Sequence, residues 1–262
     1  MINRPKIIFF DIDDTLYIKS ENRILDSTKI ALKQLKEQNI IIAIATGRGI
    51  GVFPSCVHEL VKEIGIEIFV TINGQYNEYR GQVLVDFPLT PTQILQATEQ
   101  LIGGNIAYGY MTKDEIIGFN QNNHMACALT SLNIPYRIAD DFDMSTPIYQ
   151  ILAFYENNKT ANIRLNHTLK TFRWHLSGVD ILDKDGSKAR GIRSVLDKLG
   201  LNMADAWAFG DGFNDIEMLS SVGFGVAMGN APNAVKAVAD HICPNHTDDG
   251  IYQGLKDLGL IQ

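Results

Sequence analysis

Short apolar runs alternate with amphipathic stretches through the first third of the chain. Residues 6–10, 40–45 and 66–72 are apolar runs of the kind that form buried strands. Residues 27–38 carry apolar positions at helical spacing, and residues 57–64 also have a helical pattern. This alternation predicts a parallel sheet whose strands are joined by crossover helices.

The last third of the chain repeats this alternation. Its predicted helices and strands lie at residues 188–199, 206–209, 215–221, 223–228 and 232–239. The last of these segments is a predicted helix, with Asn230 as its expected cap and Pro232 in its first turn. The two outer thirds are therefore expected to form halves of one domain.

The middle of the chain has a different pattern. Residues 83–183 are richer in aromatic side chains and Asn-rich turns, and they contain alternating strand patterns such as residues 148–155. We expect an α+β module inserted between the two halves of an α/β domain. The predicted boundaries place residues 1–82 and 184–262 in that domain.

Composition narrows the possible partners. Acidic residues outnumber basic ones by 30 to 23, for a formal net charge of −7. Duplex nucleic acid is therefore not expected as a partner, because phosphate backbones attract clustered Lys and Arg. A surplus of carboxylates is better suited to a divalent cation.

Several absences indicate a cytoplasmic setting. The longest uninterrupted apolar run, residues 40–45, is far shorter than the roughly 20 residues of a membrane-spanning helix. The first residues show no secretory signal pattern. The chain has 3 cysteines and no Cys-x-x-Cys pair, so we expect neither a disulfide framework nor a zinc knuckle.

Two aspartates lie where the first predicted strand ends. Residues 7–16 read IIFFDIDDTL, which places Asp11 and Asp13 two positions apart. Side chains at that spacing share a face of an extended chain. Both can thus reach one point at the carboxyl edge of the sheet, where open α/β folds bind ligands. A turn that caps a helix is the alternative, which the preceding apolar run makes less favourable.

Two further segments offer groups suited to phosphate. Residues 44–48, IATGR, end a predicted buried strand with Thr46, and Gly47 lets the backbone approach a ligand closely. The Thr46 hydroxyl and a backbone N–H can together hold a phosphoryl oxygen. Lys188 follows the turn DGS at a predicted helix start, where positive charge is unusual. A phosphate bound by both Lys188 and the helix N-terminus would explain why a lysine stands there. The alternative is that Lys188 is an ordinary surface lysine.

A second acidic strand end lies near the carboxyl terminus. Residues 206–215 read AWAFGDGFND, so Asp211 ends a predicted strand, Asp215 follows four residues later, and Asn214 lies between them. Oxygen ligands of this kind suit Mg²⁺, which binds few carboxylates together with water and substrate phosphate. Each segment by itself could be an ordinary turn, but four polar segments of this type are harder to explain that way.

Taken in order, these segments resemble the four motifs of the haloacid dehalogenase (HAD) superfamily, in its Cof-type branch, subfamily IIB. The matching stretches are DIDDTL, ATGR, the lysine of DGSKARGI, and GDGFNDIEML. Asn73-Gly74 and the segment GFGVAMGN, which ends at Asn230, also resemble that branch. One departure is Ala189, because the family usually has glycine directly after the lysine.

The resemblance implies a fold and an activity. The fold is α/β, with a Rossmann-like parallel-sheet core at residues 1–82 and 184–262 and an inserted α+β cap domain of the C2 type at residues 83–183. The activity is Mg²⁺-dependent hydrolysis of small-molecule phosphomonoesters, either sugar phosphates or phosphorylated cofactors, through an aspartyl-phosphate intermediate. The expected partner is thus a small phosphorylated metabolite, and the chain is expected to be a monomer or homodimer.

The resemblance also assigns residue roles. Asp11 would be the nucleophile and Asp13 the general acid and base. The Mg²⁺ ligands would be Asp11, Asp13 through its backbone carbonyl, Asp211, and Asp215 directly or through water. The groups expected to stabilise the transferring phosphoryl group are Thr46, Gly47, Lys188 and Asn214.

The inserted module would act as a lid that selects the leaving group. Its polar and aromatic side chains either line a substrate pocket or pack in the module's own core. The side chains concerned are Tyr108, Tyr110, His124, Tyr149, Arg173, Trp174 and His175.

Two other functions are compatible with some of these residues. A phosphosugar mutase of the same superfamily would use the same aspartate pair but keep the phosphoryl group. A phospho-accepting signalling domain also combines a strand-end Asp with Thr and Lys, but such domains are shorter and lack the second aspartate.

Overall fold

The computed structural model describes residues 3–156 and 163–262. The chain forms two compact units. The core unit comprises the described residues up to 47 together with residues 54–86 and 187–262. The inserted unit comprises the described residues of 48–53 and 87–186.

The strands of the described residues are, in chain order, β1 Ile7–Phe10, β2 Ile41–Ala45, β3 Ile68–Thr71, β4 Tyr76–Tyr79, β5 Gln82–Asp86, β6 Ala107–Met111, β7 Ile116–Phe119, β8 Arg137–Ile138, β9 Gln150–Phe154, β10 Leu169–His175, β11 Gly178–Asp183, β12 Ala206–Gly210, β13 Phe224–Ala227 and β14 His241–Ile242. The α-helices are α1 Asp26–Glu37, α2 Ser55–Ile64, α3 Pro91–Gly103, α4 Asn123–Ser131, α5 Lys188–Leu199, α6 Ile216–Ser221, α7 Asn233–Lys236 and α8 Gly250–Asp257. In this part of the chain, no helix has the length and apolar character needed to cross a lipid bilayer.

The core unit is built on an eight-stranded sheet with the order β14-β13-β12-β1-β2-β3-β4-β5. Strands from β14 to β3 pair in parallel, and β4 and β5 extend the sheet as antiparallel strands. Parallel strands need crossover connections, which helices provide here. The predicted α/β fold with a Rossmann-like parallel sheet is confirmed.

Both faces of the central strands are buried. Phe9 of β1 packs with Ile192 of α5 and Met218 of α6 in one hydrophobic core. Phe10 points to the opposite face because side chains alternate along a strand. There its ring stacks on that of Phe209 in β12, at a centroid distance of 5.1 Å. Burial on both faces explains why these strands are continuous apolar runs that stop at the first polar residue.

The inserted unit contains a six-stranded sheet with the order β10-β11-β9-β6-β7-β8, which is antiparallel except for the β7–β8 pair. Tyr108 and Tyr110 of β6 are buried beside Phe119 of β7, and the rings of Tyr108 and Phe119 stack at 5.2 Å. These tyrosines therefore pack in the core of this unit, which was one of the two roles open to them from the sequence.

The unit boundaries differ by a few residues from those expected. The predicted boundary between residues 82 and 83 falls at the start of β5, which pairs with β4 in the core sheet. Residues 48–53 belong with the inserted unit, since the Gly51 N–H donates to the Lys113 carbonyl at 3.3 Å and Arg48 donates to the Leu132 carbonyl at 3.2 Å.

Individual elements follow the predicted pattern closely in most places. Helix α5 has the predicted bounds, and the central strands agree within two residues at each end. Helix α7 is shorter than predicted and ends at Lys236, three residues before the expected end. Its cap is Pro232, which offers no side-chain hydrogen bond to the helix. The prediction that Asn230 caps this helix is therefore wrong.

Candidate active site

Asp11 directly follows β1, at the carboxyl edge of the parallel sheet. Its backbone N–H donates to the Phe209 carbonyl at 3.0 Å, which continues the β1–β12 ladder by one residue. The residue is only 6% exposed. Its position is therefore fixed by sheet pairing, and its carboxyl group lies in an environment that excludes most water.

The chain turns sharply after Asp11. Asp14 has a positive φ of 56°, and its N–H donates to the Tyr17 carbonyl at 2.8 Å. The Tyr17 N–H in turn donates to the Ile12 carbonyl at 2.8 Å. This tight turn leaves Asp13 partly exposed beside the buried Asp11, an arrangement in which one carboxyl is shielded and the other can meet solvent.

Lys188 links Asp11, which follows β1, to Asp215 in the loop after β12. It is the first residue of α5, is 0% exposed, and follows Ser187, whose side chain accepts from the Arg190 N–H at 3.1 Å. Its Nζ donates to Asp11 Oδ1 at 2.6 Å and to Asp215 Oδ1 at 2.5 Å. The helix begins at this lysine despite Ala189 in the next position.

The loop after β12 is organised by Asp215. Its Oδ2 accepts from the N–H groups of Asp211 and Gly212, each at 2.9 Å. A Cβ at Gly210 would lie 2.5 Å from the Asp215 carboxyl carbon, so only glycine permits the loop to fold this closely. Asp215 therefore uses one oxygen to hold its own loop and the other to bind Lys188.

Three carboxyl groups converge at this edge. Asp11, Asp211 and Asp215 each offer one oxygen, and these atoms all lie within 4.8 Å of one another. Hard cations such as Mg²⁺ bind oxygen ligands of this type. The donor set is therefore chemically suited to Mg²⁺, whereas a soft metal ion would favour Cys or His.

The electrostatics of the group also favour a bound cation. Burial raises the pKa of Asp11 to about 7, with Lys188 opposing the rise and Asp215 and Asp13 adding to it. Burial raises the pKa of Asp211 to about 8, reinforced by Asp11 and Asp215. Burial alone would lower the pKa of Lys188, but attraction to Asp11 and Asp215 raises it above its ordinary value. When the three carboxyl groups are ionised, the single positive charge of Lys188 does not neutralise them, and a divalent cation would balance the remaining negative charge.

Of the predicted phosphate-binding groups, Lys188 lies in the acidic cluster, whereas Thr46, Gly47 and Asn214 lie in a second group of residues in the core unit. Thr46 is fully buried after β2, and its N–H donates to the Val70 carbonyl at 2.8 Å. A Cβ at Gly47 would lie 3.3 Å from Asn73 Oδ1 and 3.6 Å from Asn214 Nδ2. Asn214 Nδ2 itself donates to Asn73 Oδ1 at 3.1 Å. Gly47 and Asn214, which are distant in sequence, are therefore neighbours.

Comparison with known proteins identifies the family. Residues 8–255 match the model of the haloacid dehalogenase-like hydrolases. The chain belongs to this family. The family and the hydrolase class that the sequence predicted are thus confirmed.

Several relatives match this HAD hydrolase over nearly their whole length. A Bacillus subtilis (strain 168) protein named "Putative phosphatase YkrA" is 34% identical, over 98% of this chain and 99% of the relative. The 5-amino-6-(5-phospho-D-ribitylamino)uracil phosphatase YcsE of the same organism is 26% identical, over 96% and 94%. The solved structure of the HAD subclass IIB sugar phosphatase BT4131 has a TM-score of 0.87 and 27% identity, over 97% and 99% of the two chains.

The HAD core contains a strained turn to which sequence reasoning gave no role. Ile72, Asn73 and Gly74 have consecutive positive φ values of 50°, 52° and 80°. A β-branched residue such as Ile72 rarely adopts this conformation. The Asn73 N–H donates to the Thr46 carbonyl at 3.0 Å, so the turn places Asn73 beside Thr46 and Asn214. The Asn-Gly pair was the available signal, because it is typical of turns with positive φ.

Asn230, to which the sequence assigned a helix cap, contacts the acidic cluster directly. Asn230 Nδ2 donates to Asp211 Oδ2 at 3.0 Å and to the Asp14 carbonyl at 3.0 Å. The side chain is therefore engaged by two loops at the carboxyl edge of the sheet, not by helix α7. No local pattern could reveal this, since its partners are 19 and 216 positions away.

Proposed function

We propose that this HAD hydrolase is a Mg²⁺-dependent phosphatase that cleaves small-molecule phosphomonoesters through an aspartyl-phosphate intermediate on Asp11. The observation that carries the proposal is the buried Asp11 carboxyl group, held by Lys188 within a cluster of three aspartates. The phosphatases to which the chain is similar over almost its full length support the same reaction class.

In the first step, an Asp11 oxygen attacks phosphorus and the bond to the leaving oxygen breaks. Asp13, which is more exposed, donates a proton to that leaving oxygen. In the second step, Asp13 accepts a proton from water as the water oxygen attacks phosphorus. Inorganic phosphate leaves and the Asp11 carboxylate is regenerated. Two carboxyl groups in different environments are suited to these two roles.

Asp11, Asp211, Asp215 and the Asp13 backbone carbonyl would hold Mg²⁺. When bound, the ion neutralises negative charge on the carboxylates and on the phosphoryl oxygens. Asp215 contributes in a second way, because its bond to Lys188 orients the ammonium group toward Asp11.

Lys188 and Asn214 have donors that suit a phosphoryl group. An ammonium group has three N–H donors, and Lys188 uses two of them on Asp11 and Asp215. An amide NH₂ has two donors, and Asn214 uses one on Asn73. The remaining donors, together with Thr46 and the Gly47 backbone, would bind the phosphoryl oxygens during transfer.

A screen of phosphorylated metabolites with MgCl₂, measured by phosphate release, tests the proposal. Sugar phosphates and phosphorylated cofactors are the first compounds to include, because the chain is similar to a sugar phosphatase and to a pyridoxal phosphate phosphatase. Analysis of the products from a hexose 1-phosphate separates the reactions. Isomer without free phosphate would identify a phosphosugar mutase and refute the phosphatase.

Replacing Asp13 with asparagine is expected to lower kcat by at least about 10²-fold, the usual contribution of a general acid and base. The increase in melting temperature given by MgCl₂ should persist, because the acidic cluster consists of Asp11, Asp211 and Asp215. The exposed acid Asp197 on α5 provides a matched control, D197N, with unchanged kcat. A loss smaller than about tenfold in D13N would mean that another group transfers the proton.

MgCl₂ is expected to raise the melting temperature more at about pH 8.5 than at about pH 6. The raised pKa values of Asp11 (about 7) and Asp211 (about 8) mean that protons compete with the cation at the lower pH. Without metal, these two groups stabilise the folded state most when protonated. Their contribution to stability is therefore lost as pH rises from about 4 through about 8.

Thermal unfolding after treatment with EDTA, with and without added MgCl₂, provides the measurement. The D211N variant should lose most of the Mg²⁺-dependent increase at both pH values, because it lacks one charged ligand. An increase of equal size at both pH values in the unsubstituted protein would contradict the assigned protonation.

A further inference from the structure

We propose that Asn230 is a positioning residue for Asp211, which it holds in the orientation needed to bind Mg²⁺. The inference rests on the proposed function, since it takes Asp211 as a ligand of the metal ion. It goes beyond that function because Asn230 lies outside the four HAD motifs and contacts no reacting atom in the proposed mechanism.

The hydrogen bonds of Asn230 leave one orientation for its amide group. Nδ2 donates to Asp211 Oδ2 at 3.0 Å and to the Asp14 carbonyl oxygen at 3.0 Å. Oδ1 accepts from the His246 N–H at 3.2 Å. A rotation of the amide by 180° would place oxygen against two acceptors and NH₂ against a donor. These three hydrogen-bond partners therefore fix the amide orientation in which the NH₂ group faces Asp211.

The Asp211 carboxyl group is fixed through both of its oxygens. Asn230 donates to Oδ2, and the Thr15 hydroxyl donates to Oδ1 at 3.2 Å. A carboxylate oxygen has two lone pairs, so each oxygen can accept one of these bonds and still face a cation. The two donors thus restrict rotation of the carboxyl group without occupying all of its binding capacity.

The backbone around Asn230 is itself held on both sides. The Gly229 N–H donates to the Pro244 carbonyl at 3.0 Å, and Lys236 Nζ donates to the Gly229 carbonyl at 2.6 Å. The Ala231 N–H donates to the Met228 carbonyl at 3.0 Å. The side chain that contacts Asp211 therefore lies on a turn whose backbone is hydrogen-bonded on both sides of Asn230, which suits a residue that orients a metal ligand.

Hydrogen bonds to a metal-ligating carboxylate commonly change metal affinity by about 10- to 100-fold when removed. We therefore expect N230A to raise the dissociation constant for Mg²⁺ by about tenfold or more. Isothermal titration of the metal-free, full-length protein with MgCl₂ measures this without reference to turnover. The variant N230S, whose shorter side chain cannot reach both acceptors, should weaken Mg²⁺ binding similarly and serves if N230A does not fold.

The variant K236M is the matched control, because it removes a bond to the same turn without touching Asp211. Both variants should lower the melting temperature of the metal-free protein, but only N230A should weaken Mg²⁺ binding; K236M should stay within about twofold of the unsubstituted protein. At saturating MgCl₂, N230A should regain most of its kcat, as expected of a residue that acts through metal affinity.

Two results would overturn the inference while leaving the proposed function intact. One is an N230A protein whose dissociation constant for Mg²⁺ is unchanged, and the other is equal weakening in K236M, which would assign the effect to the stability of the turn. An unsubstituted protein that shows no Mg²⁺ binding would overturn the metal site and this inference with it.

Discussion

The variant D11N is expected to lose more than about 10³-fold in turnover while remaining folded, because an amide cannot serve as the nucleophile. Phosphate release from the best substrate of the screen, with MgCl₂ present, measures the loss. The control D197N carries the same chemical change at an exposed position of α5 and should retain full activity. Ordinary phosphatase rates in D11N would refute the assignment of Asp11 as nucleophile.

The fold is expected to tolerate D11N for an electrostatic reason. Burial raises the pKa of Asp11 to about 7, so its ionised form is disfavoured in the metal-free protein. Asparagine has the shape of the protonated acid, and Lys188 keeps its bond to Asp215. At about pH 8, the free energy of unfolding of metal-free D11N should equal or exceed that of the unsubstituted chain. A large loss of stability would indicate that the Asp11–Lys188 pair holds the core together.

The variant K188M is expected to lower the free energy of unfolding by about 3–5 kcal/mol in the metal-free protein. Lys188 is 0% exposed and binds Asp11 and Asp215. Methionine has a similar length but no charge, so two buried carboxyl groups would lose their partner. Urea unfolding at about pH 8 is the measurement, since ionisation of the carboxyl groups makes the penalty largest there.

Two comparisons make the K188M prediction specific. The exposed Lys198 on the same helix provides K198M, which should change the free energy of unfolding by no more than about 0.5 kcal/mol. The double variant D11N/K188M should be more stable than K188M, because it removes one of the unpaired acids. A K188M protein as stable as K198M would show that the buried charges do not depend on this lysine.

Two of the three aspartates of the acidic cluster, Asp11 and Asp211, could be predicted because each directly follows a recognisable strand. The apolar run before Asp11 and the similar run before Asp211 marked two parallel strands, and the carboxyl ends of such strands meet at one edge. The sequence did not reveal that Lys188 contacts both Asp11 and Asp215. That contact joins side chains 177 and 27 positions apart, and no periodic pattern encodes such a distance.

The prediction for Asn230 failed because local chemistry favoured another role. Asn shortly before Pro at a helix start is a common capping pattern. In the structure, the Asn230 side chain instead donates to the Asp14 carbonyl in the loop after β1 and to Asp211 in the loop after β12, one N–H for each. A polar side chain takes the strongest partners within reach, and which partners are in reach is a property of the whole fold.

The amino-acid sequence by itself determined the α/β class, the family, and the identity of the residues at the strand ends, because hydrophobic periodicity and short motifs are local properties of the chain. Only the tertiary structure decided which of those residues touch, how deeply Asp11 and Lys188 are buried, and that Asn230 serves Asp211 instead of a helix. The physical reason is that burial, charge pairing and shared hydrogen bonds depend on distances between residues far apart in the chain.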